Sequence, residues 1–302
     1  MEFVRGALAL MALGTASLQA AADPALLGLM MPDATSIGGV QVEQSRNSPL
    51  GQFLLARISP ASPFDAVKDR TGFDPRTDLT EIVAASAGPA QMLLAGRGVF
   101  QQSRILALAQ TEGATLSTYR GMTLIGMGPP PAPAAFSIAF LDASTVVAGT
   151  TPAVQGAIDR WFVPAPYAGP LATKVAQVSS PSQAWSVATG LSELLTAIPS
   201  GPPQVEAIRN LVATITTVSG GVAFGDTGVQ VTGKLETRSA QDAQSMADVL
   251  RLLASMAPQP GLAGAATFSN AGSVVTIQIS LTQQQVEQLL KPPAAPAVVA
   301  AR

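Results

Sequence analysis

The chain has 302 residues, 47% apolar and 12% charged, with 17 Lys plus Arg against 19 Asp plus Glu and aromatics at 5%. That much apolar surface excludes a disordered chain, and the lack of basic excess and stacking aromatics argues against nucleic-acid binding. Cysteine and histidine are absent, which removes thiol nucleophiles, disulfides, iron–sulfur clusters, the usual zinc sites and any imidazole-based triad, leaving carboxylates, Lys, Tyr, Ser and Thr.

Residues 1–22 read MEFVRGALALMALGTASLQAAA. Arg5 gives a short basic start, 6–18 an apolar stretch, and Ala20-Ala21-Ala22 a small-residue cleavage pattern ahead of Asp23-Pro24. This is the anatomy of a secretory signal peptide, and the apolar run is short for a membrane span. The competing reading is an uncleaved N-terminal anchor. Cleavage would remove Glu2 and Arg5, one of each sign, and leave the net charge at −2. No later stretch approaches ~18 unbroken apolar residues, so no stable membrane span is expected after cleavage. The expected location is periplasmic or secreted.

A strand is predicted around Ile37–Val42. In NSPLGQFLLARI, Ser48 is placed as N-cap and Pro49 at the first helical position, with Leu50, Phe53, Leu54 and Ile58 on one stripe. SPFDAVKDRTG repeats the device, with Ser62 as cap and Gly72 as the left-handed stop. EIVAAS and AQMLLAGRG read as strands. FQQSRILALAQTEG reads as a helix with Ile105, Leu108 and Ala109 inward. TLSTYRGMTLIGM is a hairpin turning at Arg120-Gly121, and AAFSIAFLDASTVVAGT another turning at Asp142-Ala143. In TTPAVQGAIDRWF, Thr151 is predicted to cap a helix that turns Val154, Ile158 and Trp161 to one side.

VPAPYAGP at 163–170 breaks all periodicity and is taken as a domain boundary. Beyond it, QAWSVATG reads as a strand, LSELLTAI as a short helix, and PPQVEAIRNLVATI as a longer one with Val205, Ile208, Val212 and Ile215 at helical spacing. A hairpin turning at GDTG follows. RSAQDAQSMADVLRLLASM is the best helix: Ser239 and Asp242 approximate a capping box, and Ala243, Met246, Leu250, Leu253 and Ala257 trace one face. ATFSNAGSVVTIQISL is a last hairpin and TQQQVEQLL a last helix. The Pro/Ala tail, 291–302, is expected to be disordered. The expected organisation is a signal peptide (1–22), a first α+β domain (23–165) and a second (170–290). The fold class is α+β, two similar units of antiparallel sheet with helices packed on one face.

The densest charge cluster is TGFDPRTDLTEIV. Asp74 and Asp78 could form an acid/base pair tuned by Arg76. Each residue is equally explained by a corner: Gly72 ends a helix, Asp74-Pro75 opens a turn, Asp78 precedes a strand. The corner is preferred. AGRGVF and SGGVAFGDTG lack phosphate-loop spacing. Asp142 and Asp226 stand alone in turns, without the repeated ligands of a calcium loop. Met30, Met31, Met122 and Met127 read as gap-fillers, and Trp161 and Trp185 as core. No catalytic, cofactor-binding or metal-binding residue is assigned, and no cofactor is expected.

On FLDASTVVAGTTPAVQGAIDR, GFDPRTDLTEIVAAS and TRSAQDAQSMADVLRLL, the chain resembles a class of exported bacterial proteins of unknown function, in which a signal peptide precedes a duplicated α+β unit. The resemblance implies a periplasmic or secreted location and carries no catalytic residue across. The expected function is therefore that of a non-catalytic envelope protein, an interaction or scaffold module with an envelope protein as partner. The alternatives are a hydrolase using carboxylates alone, with Asp74 or Asp142 as acids, and a small-ligand carrier.

Overall fold

The computed structural model describes residues 21–55, 63–88, 90–127, 135–190, 203–225, 228–256 and 264–289. The expected leader (up to residue 20), the Ser62 cap, the 191–198 helix, the Asp226-Thr227 turn, Ala257 and the Pro/Ala tail lie outside them.

In chain order the elements are α1 (Pro24–Gly28), β1 (Ser36–Val40), α2 (Val42–Arg46), α3 (Pro49–Leu55), α4 (Pro63–Thr71), α5 (Pro75–Asp78), β2 (Leu79–Ser86), β3 (Met92–Gly98) and α6 (Gln102–Thr111). Next come β4 (Thr115–Tyr119), β5 (Met122–Met127), β6 (Phe136–Phe140), β7 (Thr145–Thr150), α7 (Thr151–Phe162) and α8 (Ala172–Ser179). The second half holds β8 (Ala184–Thr189), α9 (Pro203–Val212), β9 (Ile215–Gly225), β10 (Gly228–Thr237), α10 (Ala240–Ser255), β11 (Ala266–Ala271), β12 (Val274–Thr282) and α11 (Gln283–Leu289).

The twelve strands of the described residues form one antiparallel sheet, ordered β11-β12-β10-β9-β8-β1-β2-β3-β7-β6-β5-β4. The fold is α+β. β1 and β8 form a central seam, with Gly38 opposite Ser186, so the sheet runs unbroken past the Pro-rich segment at 163–170. Outward from that seam the order is β1-β2-β3-β7-β6 on one side and β8-β9-β10-β12-β11 on the other, the same succession of connections. The β5-β4 hairpin extends the first side only.

The core changes sides beyond β8. In the first half Ile37, Ala85 and Leu93 stand opposite one another in the ladders and are buried under α1, α7 and α8. The same register leads from Ile37 to the buried Val187 and then turns polar, through Ser219 to Lys234 and Thr276. The second half buries its other face: Val275, opposite Leu235, packs with Ala243, Met246 and Ala247 of α10. Leu50, Phe224 and Val229 form a smaller cluster with Val286 of α11 on that face. Each core thus lies between a face of the sheet and the helices that cover it.

Local chemistry sets most boundaries. Ser48 Oγ accepts from Gly51 N (2.8 Å), Asp74 caps α5, and Ser239 Oγ accepts from Asp242 N (3.1 Å). Gly72 and Gly113 have positive φ just beyond α4 and α6, and Arg120-Gly121, both at positive φ, make the β4–β5 hairpin turn.

Several expectations are corrected. Val42 is not the end of a strand: Gln41 turns the chain out of β1, and Val42 opens α2, with Glu43 and Arg46 placed to suit the helix dipole. Thr151 is the first helical residue of α7, with Thr150 at the cap. Ile215 continues the helical spacing of α9 but begins β9, because the β-branched run Ile215–Val218 pairs with β10. Leu253 is exposed on α10 together with Leu252 and Met256. Helix α8 was not expected: Val175 is buried in the main core despite the weak propensity of its Thr and Val residues. No helix among the described residues is long and apolar enough to cross a membrane.

Candidate functional site

The charged corner is built as a structural joint. Asp74 is 4% exposed and accepts from Arg76 Nε (2.8 Å), Arg76 N (3.0 Å) and Lys68 Nζ (3.2 Å). Arg76 reaches on to Asp65 (2.6 Å), while Arg46 donates to the carbonyls of Arg76 and Thr77 (2.9 and 2.7 Å). Asp78 does not face Asp74 as a partner acid; its carboxylate accepts from the Asp74 backbone N–H (2.8 Å). The Arg76 hydrogen bond outweighs the cost of burial and holds the Asp74 carboxyl down at about 2. A carboxylate so fully satisfied is fixed in its ionised form.

Asp142 is likewise engaged at its turn, accepting from Ser144 N (2.7 Å), Ser144 Oγ (3.0 Å) and Thr145 N (2.6 Å). Burial opposes its ionisation, but these donors prevail and lower its pKa. The glycines of AGRGVF and SGGVAFG lie within β3 and β9, not at a strand-to-helix loop. Among the described residues no three acidic side chains gather to hold a metal ion.

Sequence reasoning passed over a second acidic cluster. Glu81 lies on the core face of β2 and is 7% exposed. Its carboxylate accepts from the backbone N–H of Asp23 (2.9 Å) and from the Gln41 side chain. Arg97 stands directly opposite Glu81 in the ladder but gives its guanidinium to Asp23 (Nε to Oδ2, 2.7 Å). Burial is the main influence on Glu81, and its pKa rises to about 7. The signal was present: alternation puts Glu81 on the side of Val83 and Ala85, and Arg97 with Ala95 and Leu93.

Two surfaces lie apart from these charged clusters. On the face of the first half opposite its core, Met92, Leu94 and Phe136 are 43%, 39% and 43% exposed. Leu94 stands between Ala84 and Ala148, and Ala84 is exposed too, so the patch crosses several strands. The other end of that face is closed by Phe73 on Phe100 and Phe100 on Phe140, with ring centroids 5.1 and 5.7 Å apart. Separately, a groove of about 430 Å³ runs between α1 and the end of α7, lined by Pro24, Leu29, Arg160, Trp161, Pro164 and Pro166. Arg160 donates through Nε to the Leu29 carbonyl (2.9 Å), and its buried Nη2 has no protein partner.

No protein-family model matches the chain, and no curated protein matches it. Solved structures of TP0453 share its fold. Crystal form III superposes with a TM-score of 0.52 at 14% identity, covering 91% of this chain and 98% of that one. Crystal form IV gives 0.52 at 15%, covering 89% and 97%, and crystal form I gives 0.51 at 13%, covering 90% and 98%. The chain is thus similar to TP0453 in fold along nearly its whole length.

Proposed function

We propose that the chain is an exported, non-catalytic protein of the cell envelope, an interaction module that holds an envelope protein against the uncovered apolar face of its sheet. The observation that carries this reading is the exposure of Met92, Leu94 and Phe136 on one continuous face, since contiguous apolar surface on a folded protein marks an interaction site. The leader pattern at residues 1–22 supports export. The engagement of Asp74 and Asp142 by their own turns supports a binding role over carboxylate catalysis.

The test is affinity capture from envelope extracts with the exported chain and a Leu94→Asp variant, both checked for native circular dichroism. A protein retained by the first and lost with the variant is the expected result. Retention of nothing above background, or equal retention by both, overturns the reading.

A small-ligand carrier is a second reading, favoured by the unpartnered Arg160 Nη2 beside an apolar groove. That chemistry suits an amphiphile with a carboxylate head. Native mass spectrometry of the exported protein would show a bound acid lost in Arg160→Met; a ligand-free spectrum ends this reading.

A further inference from the structure

Glu81 is a buried carboxylate whose two donors, Asp23 N–H and the Gln41 amide, carry no charge. The nearby cation, Arg97, is committed to the Asp23 side chain. The pair Asp23–Arg97 is neutral in itself, and among the described residues no cation pairs with Glu81. Burying a carboxylate in that condition is costly.

Asp23 is held from two sides. Its Oδ1 accepts from Ala25 N (2.8 Å), capping α1, and its Oδ2 accepts from Arg97. These bonds fix the Asp23 backbone nitrogen 2.9 Å from Glu81 Oε1. The bond on the other side of that nitrogen is the Ala22–Asp23 peptide, where the small-residue pattern Ala20-Ala21-Ala22 ends.

We infer that Ala22–Asp23 is a processing site, and that the α-ammonium it releases on Asp23 is received by Glu81 as a buried ion pair that anchors the mature N-terminus. The inference rests on the export reading above. Hydrolysis breaks the Ala22 C–Asp23 N bond; water supplies hydroxyl to the Ala22 carboxyl and a proton to the Asp23 amine, which takes a second proton from solvent. One neutral donor becomes a cation with three donors, and Asp23, Arg97, Glu81 and the ammonium then sum to zero charge. Ala22 itself is 2% exposed within the core cluster. The bond is therefore open to a protease only before this segment docks, so processing comes first and the ion pair forms on folding.

The experiment expresses the full chain in an exporting bacterial host and maps its N-terminus by intact mass and terminal sequencing. The pH profile of α-amine acylation by acetyl N-hydroxysuccinimide is then followed in the wild type and in Glu81→Gln. The expected terminus is Asp23, with an α-amine titrating at least one unit above the ordinary ~8, a tenfold change in protonation equilibrium. Glu81→Gln should bring it back to ~8 or below. Acetylating the terminus of the unfolded wild-type chain should also lower its melting temperature after refolding, a readout independent of whether the variant folds. A retained leader overturns this inference, and a chain kept inside the cell overturns the export reading itself. Cleavage elsewhere overturns only this inference, as does an Asp23 terminus whose amine titrates at the ordinary value.

Discussion

Gly39 lies directly beneath the indole of Trp185. The two residues face each other across the β1–β8 seam, and a Cβ on Gly39 would stand 2.8 Å from Trp185 Cζ2 and 2.9 Å from Cε2. Trp185 is buried in the core that the seam shares with α8. The glycine is thus a space requirement at the point where the halves join.

Gly39→Ala should therefore displace the indole and destabilise the fold by roughly 1–3 kcal/mol, the usual cost of overpacking. Urea unfolding in a Trp161→Phe background, where Trp185 is the only reporter, should show a lower midpoint and a red-shifted native emission. An unchanged midpoint would mean that the seam yields easily.

Acid stability should depend on Asp74. Its pKa is held at about 2 against an ordinary 3.8, so the folded state binds fewer protons than the unfolded state between those values. The stabilisation is present above about pH 4 and disappears as the pH falls through about 2, amounting to about 2 kcal/mol. Asp74→Asn should remove that pH dependence and lower stability at neutral pH, measured by chemical denaturation across pH 2–6.

Glu81 should act in the opposite direction in a chain that still carries residues ahead of Asp23. Its pKa is raised from 4.5 to about 7, so the folded state holds the extra proton. Stability should fall as pH rises from about 4.5 through 7, by about 3 kcal/mol in total. Glu81→Gln should flatten the curve and be the more stable protein at pH 8; a wild-type curve already flat would show Glu81 ionised at little cost.

The two faces of α10 should respond differently. Met246 is buried against Ala243, Ala247 and Val275, whereas Leu253 is exposed. Met246→Ala should cost about 2–5 kcal/mol, and Leu253→Ser should stay within about 0.5 kcal/mol of wild type. Equal losses in thermal unfolding would place Leu253 in a contact of its own.

Much of the local structure was legible because local chemistry decides it. Ser239 and Asp242 cap α10, Asp74-Pro75 opens α5, and Arg120-Gly121 turns a hairpin, each through bonds that span a few residues. The corner reading of Asp74, Arg76 and Asp78 also came from neighbours in sequence. The misreadings of Ile215 and Leu253 share one cause. Ile215 fits a helical stripe and a strand equally well, and only its place beside β10 selects the strand. Leu253 fits the apolar stripe of α10 but stays exposed, outside the cluster that Met246 and Leu250 join.

By itself the sequence determined the α+β class, the turns and caps, the absence of thiol and imidazole chemistry, and the alternation that sets Glu81 and Arg97 on an apolar face. The tertiary structure decided that β1 and β8 pair into one sheet, that the core passes from one face to the other beyond β8, and that Asp23 meets Glu81. The physical reason is range. Caps, turns and alternation are settled by atoms a few residues apart, whereas the β1–β8 pairing joins Ile37 to Val187, 150 positions away, and Asp23 meets Glu81 across 58. Such segments are brought together by burial of the apolar core they share.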